Sequence, residues 1–237
     1  MLDFWSRHRH PELWPLHLEE RYLDVALQRL LAPASSVVDV GCHVGSFLAK
    51  VVRISPLGSH VAVEPSPFKS QLLKNKFVSS AVHACAVSDR PGRAVFEENL
   101  QRPGCSKFAS SGQADSTKKY YEVDVSTIDG LLDRSQKIAL IKLDIEGAEL
   151  KALRGSTATI LEHRPVIIFE CGPEKGYEDG RDGRLALYDF MSVDMKYHIY
   201  TFSDYIAGKG EMDRREFMKT GVYPFTCFNF LALPQAL

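Results

Sequence analysis

Between Val37 and Phe47 the chain reads Val-Val-Asp-Val-Gly-Cys-His-Val-Gly-Ser-Phe, an apolar run followed by two glycines four positions apart. Val44, Phe47, Leu48, Val51 and Val52 then recur at helical spacing and give the next segment one apolar face. A buried strand that turns through glycine into an amphipathic helix belongs to the open α/β sheets. There the turn sits at the carboxyl end of the first strand and binds a cofactor. Gly41 and Gly45 lack a Cβ, so the backbone can turn sharply and lie close to a ligand. The spacing is G-x-x-x-G, not the G-x-G-x-x-G of dinucleotide enzymes. Asp39 precedes the first glycine by two positions. A carboxylate repels pyrophosphate and attracts the ammonium of an amino-acid moiety. The loop therefore suits S-adenosylmethionine better than NAD.

A second apolar run, His60-Val61-Ala62-Val63, ends in Glu64-Pro65, with Glu64 placed 23 residues after Gly41. An acid at the end of strand two commonly accepts hydrogen bonds from ribose hydroxyls. Both cofactor classes use such an acid, so Glu64 supports a nucleoside without choosing between them. The alternative is a solvated strand-end glutamate.

The rest of the chain fits one cofactor domain with decorations. At 237 residues it is long enough to bury a large core as a single α/β domain. A net charge of −1 gives no electrostatic case for nucleic acid or an anionic membrane as main partner. The first ten residues show no apolar signal-like core, and no apolar run is long enough for a bilayer span. The five cysteines, Cys42, Cys85, Cys105, Cys171 and Cys227, are scattered without a C-x-x-C pair. They read as reduced thiols in a cytoplasmic setting and not as a zinc site.

Residues 12–31 predict a helix, with Leu16, Leu23, Leu27 and Leu30 as its stripe, so that 1–33 reads as a helical cap on a domain spanning 34–237. Strand one covers about 36–40, helix A 45–54, strand two 60–64, helix B 67–76 and strand three 81–87. A β-rich insertion follows at about 92–125, with strands at 92–98 and 118–125 around a polar stretch. Strand four, Lys137 to Asp144, is apolar enough to be buried on both faces. A helix then runs to about Leu161. Strand five spans 165–170, a helix 184–194, strand six 197–202 and strand seven 225–233, with partly helical chain at 203–224. The architecture expected is a Rossmann-like doubly wound sheet of seven strands, six parallel and the last antiparallel.

Several motifs in order then resemble one family: Asp39 to Gly45, Val63-Glu64-Pro65, Ala86-Val87-Ser88-Asp89, Ser126-Thr127-Ile128-Asp129, Ile141 to Glu149, Arg164-Pro165 through Glu170, and Asn229-Phe230-Leu231-Ala232. Together they resemble the FkbM-type S-adenosylmethionine-dependent methyltransferases from about Ser36 to Pro234. The resemblance implies the class I methyltransferase fold and methylation of a hydroxyl oxygen on a sugar, glycan or glycolipid, with a polyketide or other small natural product as the alternative acceptor. It also implies a cofactor site of Asp39, Gly41, Cys42, His43, Gly45, Ser46, Glu64, Pro65, Ala86, Val87 and Asp144. The loop departs from the family at Cys42-His43, where a small residue and asparagine are common.

Methyl transfer to an alcohol needs in-line positioning and removal of the hydroxyl proton. Asp144 and Glu146, at the carboxyl end of strand four, suit base and positioner, and His43 ranks behind them. The same two carboxylates, with Glu170 at the end of strand five, also have the chemistry of a divalent-metal set, although nothing else calls for a metal. Asp144 competes with a helix N-cap, a frequent role of strand-end aspartates. Glu149 suits a helix-end contact, and Lys142 is divided between a snorkelling side chain and the site. His8, His10 and His17 read as solvent-facing. The segment 102–107 reads as a substrate lid and 172–183 as its counterpart across the cleft, and a homo-oligomer stays open.

Two other classes remain. A nicotinamide oxidoreductase would need the G-x-G-x-x-G turn, which is missing, and would bind NADH in preference to S-adenosylmethionine. An idle binding module would hold the cofactor tightly and transfer nothing.

Overall fold

The computed structural model of the chain describes residues 10–101, 107–108, 117–133, 135–173, 177–178 and 181–235. Its main elements, in chain order, begin with α1 (Trp14–Leu30), β1 (Ser36–Val40), α2 (Ser46–Ile54), β2 (Val61–Val63), α3 (Pro67–Lys76) and β3 (Ala81–His83). They continue with β4 (Ile138–Leu143), α4 (Glu149–Arg154), α5 (Thr157–His163), β5 (Val166–Glu170), α6 (Gly183–Asp189), β6 (Tyr197–Thr201), α7 (Arg214–Thr220) and β7 (Asn229–Pro234). The seven-stranded, mostly parallel sheet expected from the alternation is present, with its last strand antiparallel. Its strands are distributed over two compact units, Leu31–Pro165 and the described residues up to Leu30 together with Val166 onward.

In the first unit the strands lie in the order β4-β1-β2-β3, all parallel. Val37, Val38, Val40, Ile138, Leu140, Ile141 and Leu143 each expose 1% or less. Such uniform burial is what a parallel strand covered on both faces requires. Phe47, Leu48 and Val51 form the buried face of α2. Val44, expected on that face, precedes the helix and is exposed. Pro67 opens α3, where its missing N–H costs nothing.

Strand three is shorter than its apolar run suggests. It leaves the main sheet after His83, and Ala86–Val87 pairs instead with Val125 and Ser126. The cause is a second apolar cluster, in which Ala86 packs with Phe96 and Val123. The insertion is thus a small sheet of its own. Gly92–Asn99 pairs antiparallel with Lys118–Ser126, from Gly92 opposite Val125 to Asn99 opposite Lys118. Helix formation after β4 is also interrupted. Gly155 and Ser156 separate α4 from α5, where one continuous helix was expected. The first amides of α5 are then satisfied from a distant segment: Asp129 accepts from Ala158 N at 3.0 Å, Thr159 N at 2.9 Å and Thr159 Oγ1 at 2.6 Å. The Ser126-Thr127-Ile128-Asp129 motif is therefore a capping motif, with Thr127 as N-cap of the one-turn helix that begins at Ile128, accepting from the Gly130 amide.

In the second unit β7 lies between β6 and β5, antiparallel to both. Phe169, Phe217 and Phe230 form its aromatic core, with centroids 5.5 Å apart for Phe169–Phe230 and 4.7 Å for Phe217–Phe230. β7 begins at Asn229, later than the run from Phe225, because the Phe228 and Asn229 amides turn to Glu19 of α1 at 2.7 and 3.2 Å. Buried Arg184 donates to the carbonyls of Cys171, Gly172 and Phe217, tying the end of β5 to α7.

Cys42, Cys85, Cys171 and Cys227 are free and buried. No helix among the described residues is long and apolar enough to cross a membrane. Cys105, His8, segment 102–106 and residues 174–176 and 179–180 of the second proposed acceptor loop lie outside the described residues.

Candidate functional site

The loop between β1 and α2 is forced by its surroundings. Gly41 has φ 77°, and a Cβ there would sit 1.9 Å from the Asp144 carbonyl oxygen. Gly45 has φ 81°, and its Cβ would meet the Phe77 ring at 2.4 Å. Both are glycines because the protein itself closes on them, a constraint the spacing alone did not reveal. Between them, Cys42 points inward and packs with Leu48, Ala62, Leu73 and Phe77. Burial pushes its thiol well above the ordinary range. Cys42 thus belongs to the core by its side chain. His43 is left-handed at φ 52°, and its amide donates to Glu64 Oε2 at 2.9 Å. Burial depresses its imidazole, so the ring favours the neutral form.

Asp39 is fully buried beneath the loop. Neither carboxylate oxygen has a hydrogen-bond partner among the described residues; the Cys42 thiol and the Leu48 amide face it without closing a standard bond. Burial raises its pKa, and Lys142, opposite it across the β1–β4 ladder, counters that effect from 3.9 Å. Lys142 also donates to Asp144 Oδ2 at 2.9 Å. Burial alone would lower its ammonium, but Asp144 and Asp39 hold it above its ordinary value. The lysine is therefore a buried cation between two acids. Its side chain is only 10% exposed, which overturns the snorkelling alternative.

Asp144 lies just beyond β4 with its side chain 41% exposed. It does not cap the following helix, whose N-cap is Ala148. Glu149 takes the structural duty instead, accepting from the Ile145 and Gly147 amides. Glu146 occupies the turn between them with φ 52°, a conformation that costs a branched or long side chain energy and marks the turn as a constrained one.

Glu64 is 4% exposed and accepts one backbone amide on each oxygen, His43 N on Oε2 and Ser66 N on Oε1 at 2.9 Å. Burial raises its pKa, against the pull of the Ser66 amide and Lys69. Each carboxylate oxygen still has lone-pair capacity for another donor. Ser46 is exposed at the start of α2, and no side chain caps that helix. Its Ser46 and Phe47 amides suit an anionic group, while the Leu48 amide faces Asp39. Pro65 follows Glu64 at the turn into α3, while Ala86 and Val87 are buried in the small sheet. These features fit S-adenosylmethionine: an acid for ribose hydroxyls, an uncapped helix end for a carboxylate and a buried acid under the loop.

Two residues were missed. Glu98 and Lys69 form a buried ion pair at 3.0 Å. Nothing local announces it, since Lys69 reads as the solvent side of a helix and Glu98 as a polar position on an insertion strand.

The seven-stranded sheet with its antiparallel last strand, its first strand turning through the glycine loop, is the Rossmann-like class I methyltransferase fold, whose members take S-adenosylmethionine. The profile of the Methyltransferase FkbM domain matches residues 39–204, and the chain belongs to that family. It is 24% identical over 144 residues to Methyltransferase 1 of Beauveria bassiana (strain ARSEF 2860), a match covering 51% of this chain and 58% of that protein. The crystal structure of methyltransferase FkbM from Methylobacillus flagellatus KT superposes with a TM-score of 0.53 at 20% identity. That match covers 86% of this chain and 44% of the other. The chain thus spans only about half the length of these two relatives.

Proposed function

We propose that this chain is an O-methyltransferase that transfers the methyl group of S-adenosylmethionine to a hydroxyl of a sugar, glycan or glycolipid. The observation that carries the reading is Asp144: a partly exposed carboxylate at the end of β4, in contact through its backbone with the cofactor loop at Gly41. When bound, the cofactor supplies an electrophilic methyl on a sulfonium. Asp144 accepts the acceptor's hydroxyl hydrogen bond and takes its proton as the oxygen is alkylated, with Glu146 as a second acceptor. Lys142 fixes the Asp144 carboxylate through its 2.9 Å bond. The carboxylates support a hydroxyl acceptor of any kind, and the carbohydrate class within it is supported by family membership alone. The same reading takes the setting as reducing and cytoplasmic, in keeping with Cys42, Cys85, Cys171 and Cys227, which are free and buried among the described residues.

The test is transfer of isotopically labelled methyl from S-adenosylmethionine into cell extract, followed by identification of the product. Label in a methyl ether of a carbohydrate supports the proposal. Label in a polyketide redirects the acceptor class, and label on nitrogen or carbon refutes O-methylation.

In this reading Glu64 receives the ribose hydroxyls, with adenine toward Ala86 and Val87. Glu64→Ala is expected to weaken S-adenosylmethionine binding by about 1–3 kcal/mol, the range for losing hydrogen bonds to a charged group. Calorimetric titration checks it, and an unchanged Kd contradicts the ribose assignment.

A further inference from the structure

Glu64 is joined to the insertion by one residue. Ser66, fully buried, donates its amide to Glu64 Oε1 at 2.9 Å and its hydroxyl to Glu98 Oε2 at 3.3 Å. Glu98 lies on the insertion strand Gly92–Asn99, 8% exposed. It accepts the Tyr121 phenol at 3.1 Å on Oε2 and pairs through Oε1 with Lys69 of α3 at 3.0 Å. The neighbouring strand position is fastened as well, by Lys118 to Glu97 at 2.9 Å. Two buried acids therefore share a serine, and a buried lysine pairs with Glu98 and acts electrostatically on Glu64. Leaving any one of these charges unbalanced in so dry a place is costly. Their positions are correspondingly interdependent.

We propose that Glu98 and Lys69 are positioning residues for the nucleoside site: through Ser66 they fix the Glu64 carboxylate in the orientation that receives the ribose. The insertion sheet is then part of the cofactor site's framework as well as a decoration beside it. Burial alone would raise the Glu98 carboxyl, but Lys69, Tyr121 and Ser66 hold it below the ordinary range, so it stays an anion beside the lysine. This inference rests on the ribose role proposed for Glu64.

A double-mutant cycle tests it, because residues that act through one another lose additivity. The Kd of S-adenosylhomocysteine is measured by calorimetry for the wild type, Glu64→Gln, Glu98→Gln and the double variant, with urea midpoints recorded for each. Glu98→Gln is expected to weaken binding about tenfold in the wild-type background and less than about twofold when Glu64 is already glutamine. Equal losses in both backgrounds, or no loss in either, overturn the inference while leaving the ribose role standing if Glu64→Gln itself weakens binding. An unchanged Kd for Glu64→Gln overturns the ribose role, and this proposal with it. Should Glu98→Gln fail to fold, Tyr121→Phe removes one donor to Glu98 and keeps the ion pair. Its expected loss is about twofold to threefold, present only with Glu64 intact.

Discussion

Gly41→Ala is expected to abolish measurable S-adenosylmethionine binding and to lower stability by about 3 kcal/mol or more. Two costs add. An alanine at φ 77° is strained by about 1–2 kcal/mol, because its Cβ crowds the backbone in the left-handed region. The same Cβ falls 1.9 Å from the Asp144 carbonyl oxygen, far inside contact distance, and the obstacle is backbone that cannot rotate away. Either the loop or the end of β4 must shift, and both carry candidate site residues. Chemical denaturation reads the stability loss and calorimetry the binding loss. Gly92→Ala is the control, since a Cβ there meets nothing within 4 Å. A Gly41→Ala protein with wild-type affinity would show that the loop is not the cofactor site.

Asp144→Asn is expected to lower turnover by about 10²–10⁴-fold, the range for loss of a general base, with little change in cofactor affinity. Asparagine keeps the size of the side chain and removes the charge. The structure adds a cost that the capping alternative did not contain. Lys142 loses the negative charge of its 2.9 Å partner and keeps Asp39 at 3.9 Å as a counter-ion, beside the Phe47 ring at 5.4 Å. Because Asp144 is 41% exposed, water screens the pair, and the stability loss should be about 1 kcal/mol or less. Steady-state rates with a competent acceptor, alongside urea midpoints, separate the two effects. Retained turnover would make the carboxylate structural. Loss of wild-type activity on adding a chelator would instead assign Asp144 and Glu146 to a metal.

What the sequence made legible follows from how local each signal is. β1, α3 and β4 fell within a residue of expectation because a largely apolar strand and a proline-opened helix are written in consecutive residues. Glu64 at the end of β2 was readable for the same reason. The early exit of strand three depends on Phe96 and Val123, the α5 cap on Asp129 some 29 residues before Ala158, and the start of β7 on Glu19, more than 200 residues away. Contacts at such separations leave no periodicity. The Cys42 side chain shows the same limit: its place in the loop motif suggested a ligand, while packing against Phe77 and Leu73 put it in the core. Lys69 and Glu98 look like solvated charges until the insertion folds back onto α3 and buries both.

The most direct test of the cofactor assignment is a paired calorimetric titration of the purified chain with S-adenosylhomocysteine and with NADH. The glycine loop above buried Asp39, with Glu64 at the end of β2, predicts saturable one-to-one binding of S-adenosylhomocysteine and no heat from NADH. Binding of NADH without binding of S-adenosylhomocysteine would contradict it.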